Sequence, residues 1–184
     1  MSAIHEHVLQ NGMTLLCWPQ RHLHGLEFGL YLKGGPLYET EETQGISNLL
    51  EHLCFRGLGG LNREGLLREL NRFGTNLDAA TYAEGLVFRL KCLPRFFDAA
   101  LEYFLRFFAN VAWTPEQIAA EKQVVLRQLE ADGEGDLFDR AACDFRKTEN
   151  GAFPPLGTPE SLMALYREKL GFYSCSVPLF DQYV

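Results

Sequence analysis

The sequence predicts an α+β fold with helices layered on a largely antiparallel sheet. Three observations carry this reading: an Asn11-Gly12 turn between two strand-like runs, period-two alternation of apolar residues, and apolar residues at helical spacing between the strands. Residues 5–10 and 13–18 flank Asn11-Gly12, a two-residue turn that favours a β-hairpin. A third strand fits residues 26–33, where Leu26, Phe28, Leu30 and Leu32 alternate and Gly34-Gly35 ends the run. From Gly45 to about Phe55 the period changes: Ile46, Leu49, Leu50 and Leu53 mark a buried helix with Ser47 near its start. A glycine-rich loop over 56–61 leads to Asn62, which caps a helix running to about Phe73, with Gly74 just past its end.

Two further strands are expected at 76–82 and 86–93, the second with Leu86, Phe88 and Leu90 on one face and Pro94 as its stop. The phenylalanines between Phe96 and Phe108 keep helical spacing, which marks a core helix rather than a cofactor box. Thr114-Pro115 with Gln117 combines an N-cap, a proline at the first helical position and a capping-box partner. The helix it opens, 115–131, is interrupted by Asp132-Gly133-Glu134-Gly135, and the acidic run from Glu130 to Asp139 reads as a solvated break. Helices are expected over 137–147 and 160–170, with an irregular turn at 151–159 between them.

The 184 residues form one domain, large enough for a core without disulfides or metals. Seventeen Lys+Arg against 24 Asp+Glu leave a net charge of −7, which argues against nucleic-acid and anionic-membrane partners. No apolar run approaches a membrane span, and MSAIHEHVLQNG lacks the basic and apolar regions of a secretory signal, so a cytoplasmic protein is expected. Five scattered cysteines without a C-x-x-C pair suit free thiols in a reducing compartment. The pairs His5/His7 and His22/His24 share strand-like i, i+2 spacing but have no third ligand nearby, so they read as surface histidines.

The informative segment is Asn48-Leu49-Leu50-Glu51-His52. It resembles the H-x-x-E-H helix of the pitrilysin/insulinase family of zinc peptidases, the inverted zincins. The resemblance implies a half-domain of that family, a mainly antiparallel sheet with helices packed on one face. It places Glu51 at the general-base position and His52 at the second histidine, with Asn48 where the first histidine belongs. Two more segments agree in order. Gly74-Thr75-Asn76-Leu77-Asp78-Ala79-Ala80-Thr81 is similar to the family's lead into an N-A-x-T edge strand, and Glu121-Lys122-Gln123-Val124-Val125-Leu126-Arg127-Gln128 to its E-x-x-V-V-L-x-E helix. Gln128 stands at the third ligand position, 76 residues after His52 as the family pattern requires. Pro155-Leu156-Gly157 and Glu160-Ser161 resemble a later family segment.

Catalytic zinc keeps three protein ligands and a water. Asn48 and Gln128 offer neutral amides, hard and weak donors, at two of the three positions, so no bound zinc is expected. Glu51 and His52 are then expected to hydrogen-bond Asn48 and Gln128, filling a polar pocket. Cys54, set between Leu53 and Phe55, reads as a small hydrophobe rather than a nucleophile. The resemblance implies a non-catalytic homologue that partners an active peptidase or a homologous half. An extended peptide would be held by strand addition along 76–82, at Asn76, Asp78, Ala79 and Thr81. Two alternatives stand beside it. One is an active endopeptidase with an altered ligand set, for which Glu121, two turns before Gln128, is the best substitute ligand. The other is a structural remnant of a larger chain. The family continues into another strand after Phe172-Tyr173, so the chain is expected to be one half-unit, short or a fragment, with apolar surface that favours self-association.

Overall fold

A computed structural model describes residues 3–56, 63–75, 77–109, 113–131, 153 and 156–165. Strands β1 (His5–Val8) and β2 (Thr14–Cys17) form an antiparallel hairpin in register Val8↔Thr14 and His5↔Cys17. Its turn is wider than the expected two-residue one. Leu9 N donates to Met13 O at 2.8 Å and Gly12 N to Leu9 O at 2.9 Å, which leaves Gln10, Asn11 and Gly12 as a three-residue loop. Gly12 takes φ 82°, and Asn11 Oδ1 accepts from Met13 N at 3.1 Å. Asn-Gly thus supplies the left-handed residue of a bulged loop.

The main sheet has the order β3-β5-β4, with β3 at Leu26–Lys33, β4 at Leu77–Tyr82 and β5 at Gly85–Cys92, all antiparallel. The alternation read from the sequence is the sheet's two faces. Leu26, Phe28, Leu30 and Leu32 lie opposite Cys92, Leu90, Phe88 and Leu86 and form the inner face, while Tyr31, Lys33 and Lys91 face outward and are exposed. Helix α3 (Phe97–Ala109) covers that inner face. Phe28 meets Phe97 and Phe104 edge-on, and Phe88 meets Phe108, with centroids 5.0–5.7 Å apart, a spacing and tilt that favour aromatic pairs. Its first turn differs from the sequence reading: Pro94–Phe96 is a separate 3-10 turn before α3 begins.

Helix α1 (Ile46–Cys54) is nearly all buried, with Ile46, Leu49 and Leu53 at 0% exposure. It packs against β4 and against α4 (Pro115–Ala131). Helix α2 (Arg63–Arg72) lies between α1 and β4 in the chain. The last described helix, α5 (Pro159–Ala164), ends sooner than expected because Leu165 turns extended, at φ −69° and ψ 134°. The helix expected over 137–147, residues 166–170 of the expected last helix, the acidic run beyond Ala131 and the capping residue Asn62 lie outside the described residues. No helix among the described residues is long and apolar enough to cross a membrane.

Candidate metal-site pocket

The pocket is built where α1, β4 and α4 meet, and each wall is fixed by local chemistry. Helix α1 starts at Gly45, and its first amides are met by a carboxylate from upstream. Glu39, buried, accepts from Gly45 N at 2.8 Å and Ser47 N at 3.0 Å. Burial pushes the Glu39 carboxyl up, partly offset by these bonds. Ser47 Oγ accepts from Gly35 N at 3.1 Å, which ties the helix start to the end of β3. Gly45, at φ 82°, lies against Gly157, at φ 72°: a Cβ on Gly45 would come within 2.7 Å of Leu156 O. Ser161 Oγ donates to Gln44 O at 3.0 Å, so the Leu156-Gly157 to Ser161 segment clamps the same helix end. At the other end, Trp113 Nε1 donates to Leu53 O at 3.0 Å.

On this framework Glu51, His52, Phe55, Glu121 and Val124 line a cavity of about 280 Å³. Thr81 lies on the inner face of β4, opposite Leu86, and donates its hydroxyl to Glu51 Oε2. His52 Nδ1 sits 3.5 Å from Glu121 Oε2, and the Gln128 side chain hydrogen-bonds His52. Burial holds the imidazole below its ordinary pKa, against the opposing pull of Glu51 and of the Gln128 bond. Glu121 is 4% exposed, and its Oε1 accepts from Arg56 Nε. Lys122, next along α4, donates to Met163 O and Leu165 O, holding α4 against the end of α5.

The sequence-derived set is therefore only partly assembled. His52 and Gln128 meet as expected, but the partner of Glu51 is Thr81 rather than Asn48. Asn48 is buried on α1, and its Nδ2 has no partner among the described residues. Gln128 itself is largely exposed. Glu121, the candidate substitute ligand, has one oxygen on Arg56 and the other facing His52. Ala79 shares the inner face of β4 with Thr81, whereas Asp78 is on the outer face, paired with Arg89 at 2.8 Å. Asn76 lies outside the described residues. Cys54 is buried, and burial raises its thiol pKa, as a packing residue requires. Cys17, Cys54 and Cys92 are free thiols, and His5, His7, His22 and His24 are exposed; the latter two sit in a turn region rather than on a strand. Arg56 and Glu39 were not legible as site residues, because their partners are 65 and 6 to 8 residues away and neither spacing forms a recognisable pattern.

Comparison with known proteins decides the family. The model of the insulinase family, peptidase family M16, matches residues 24–147, which include the pocket and the whole main sheet. The chain belongs to the insulinase family. An uncharacterised zinc protease of Rickettsia felis is 28% identical over 163 residues, covering 87% of this chain and 40% of the relative. The mitochondrial-processing peptidase subunit beta of Caenorhabditis elegans is 26% identical over 148 residues, covering 79% of this chain and 32% of its own length. The chain thus spans well under half of these curated relatives. In fold it matches a protease from Helicobacter pylori with a TM-score of 0.85 at 18% identity, over 97% of this chain and 44% of that one. It also matches a peptidase M16 inactive domain from Pseudomonas fluorescens with a TM-score of 0.80 at 15% identity, over 94% of this chain and 43% of that one. The expected pitrilysin-like α+β half-domain is the observed one.

The zinc in the name of the Rickettsia felis relative does not fit the residues present in this chain. An amide replaces a strong donor at Asn48 and at Gln128, and the nearby carboxylate of Glu121 is already neutralised by a guanidinium. No group of three or more His, Cys, Asp or Glu side chains suited to a metal occurs among the described residues.

Proposed function

We propose that this chain is a non-catalytic member of the insulinase family that holds an extended peptide along β4 as the partner of an active, homologous peptidase. The observation that carries it is the state of the pocket: Glu51 is satisfied by Thr81, His52 by Gln128, and Glu121 by Arg56, with two amides at ligand positions. A glutamate serves as base in such peptidases by taking a proton from a metal-activated water. Without that activation a carboxylate and a neutral imidazole do little to an amide bond. The pocket has exchanged reactive groups for mutually satisfied ones, which a binding surface tolerates and a hydrolase does not.

Peptide binding needs none of the lost chemistry. Strand β4 pairs with β5 on one side and with no other described strand, so its second edge presents backbone donors and acceptors to an added strand. Thr81 and Ala79 point to the pocket side, where Phe55 and Val124 supply apolar contact for a peptide side chain. The scattered cysteines support a cytoplasmic setting. Two measurements on the purified chain test the reading together: zinc by elemental analysis, and the anisotropy of a short fluorescein-labelled unstructured peptide with and without a chelator. Well under one zinc per chain, with chelator-insensitive binding and no cleavage, is expected. Stoichiometric zinc, or hydrolysis that a chelator abolishes, would overturn it.

A further inference from the structure

The two edges of the main sheet differ in what they offer a neighbour. Among the described residues β3 and β4 each pair only with β5, which leaves each with a row of backbone donors and acceptors for another strand. Folded sheets blunt such rows with proline, bulges or short length. Strand β3 has none of these: it runs eight residues, Leu26–Lys33, without proline and in unbroken register with β5. Its inner-face residues Leu26, Phe28 and Leu30 are only partly buried, so this edge still has apolar surface to remove from water. Its two charges, Glu27 and Lys33, stand near opposite ends of the outer face.

We propose that β3 is a docking edge for a second copy of this chain, paired antiparallel with Leu30 opposite Leu30. In an antiparallel pair directly opposite residues share a face, so few registers keep the two inner faces together. The register centred on Leu30 sets Glu27 opposite Lys33 twice across the two-fold, Gly29 opposite Tyr31, and Phe28 opposite Leu32. A register centred on Gly29 sets Glu27 against Tyr31, and one centred on Tyr31 sets Lys33 against Gly29, so both lose the two ion pairs. The charges are available at the surface. Glu27 meets Lys91 at 3.4 Å through exposed side chains, a contact worth little in water, and Lys33 lies over the Tyr38 ring at 5.4 Å. Strand β4 lacks this self-complementarity, since Leu77–Tyr82 carries Asp78 and no basic residue to oppose it. The β3 contact is isologous and therefore closes at a dimer. It leaves the β4 edge open to a peptide and does not depend on peptide binding there.

Sedimentation velocity of the full chain tests this for the wild type, Glu27→Lys, Lys33→Glu and an equimolar mixture of the two variants. The wild type should show a concentration-dependent monomer–dimer equilibrium. Each single reversal sets two like-charged pairs across the two-fold and should weaken dimerisation roughly tenfold or more. Both positions are exposed, so the fold should be unchanged by circular dichroism. In the mixture the introduced lysine of one variant faces the introduced glutamate of the other, and the native Glu27 and Lys33 face each other in the second pair. Dimers should then return to near the wild-type affinity, an outcome that a dimer built on any other face would not give. A wild type that stays monomeric across the micromolar range, a dimer indifferent to either reversal, or a mixture no stronger than the single variants overturns the proposal.

Discussion

Glu39 shows how one side chain can set the position of a whole site. The start of α1 has glycine at its cap and no capping side chain of its own, so its first amides depend on Glu39 Oε1 and Oε2. Removing that carboxylate leaves buried donors unsatisfied, at about 1–3 kcal/mol for such groups. Glu39→Ala should therefore destabilise the chain by roughly that amount, read as a lower denaturation midpoint at unchanged m-value. Glu39→Gln, which keeps one acceptor oxygen, should fall between. A midpoint unchanged in E39A would show that the helix start is held by the Ser47–Gly35 bond and the Gly45–Gly157 contact alone. None of this was legible in the sequence, which showed only Ser47 near the helix start. The loop that brings Glu39 back carries no periodic pattern, and its geometry comes from the Pro36–Tyr38 turn and Gly35 at φ 95°.

At the scale of elements, strands β3 and β5 of the main sheet were readable because each keeps an apolar alternation. The sides of β3 and β5 follow directly from Leu26/Phe28/Leu30/Leu32 and Leu86/Phe88/Leu90. What could not be read was which polar groups meet across elements: Thr81 with Glu51, Arg56 with Glu121. Those contacts depend on how α1, β4 and α4 are docked, not on spacing within any one of them. The docking nonetheless brings α1 and α4 into the register that the 76-residue interval implied, since Gln128 bonds to His52. A ligand set rebuilt on these two helices should then bind zinc. Asn48→His with Gln128→Glu would give two imidazoles one turn apart on α1 and a carboxylate from α4 beside them. The double variant, but neither single one, is expected to gain about 2.7 kcal/mol of stability at zinc concentrations 100 times its Kd. Competition with a chelator checks the affinity. If the double variant bound zinc no better than the wild type, the helices would be out of register by at least one residue.

At the scale of the molecule, stability is unevenly spread, and the unevenness has a structural cause. Strand β5 is central, paired on both sides, with Leu86, Phe88 and Leu90 at 3% exposure or less beneath α3. The β1–β2 hairpin is a two-stranded sheet of its own, and all eight of its strand residues are exposed. One of its faces carries Ile4, Val8, Leu16 and Trp18 at 62–70% exposure, apolar surface that contributes nothing to the core in this state. A hairpin without a packed face is marginal in water, because two strands of backbone bonds barely offset the conformational entropy of ordering them. Local opening there should cost roughly 0–2 kcal/mol, against the full global value for β5. Native-state hydrogen exchange is the direct measurement: amides of residues 5–8 and 14–17 should exchange near the unprotected rate, while those of 86–91 exchange only on global unfolding. Equal protection in the two regions would mean that the hairpin is covered in solution by more of the protein than the described residues show. In the expected case, deleting it would lower the global unfolding free energy by no more than about 2 kcal/mol, the cost of its own local opening.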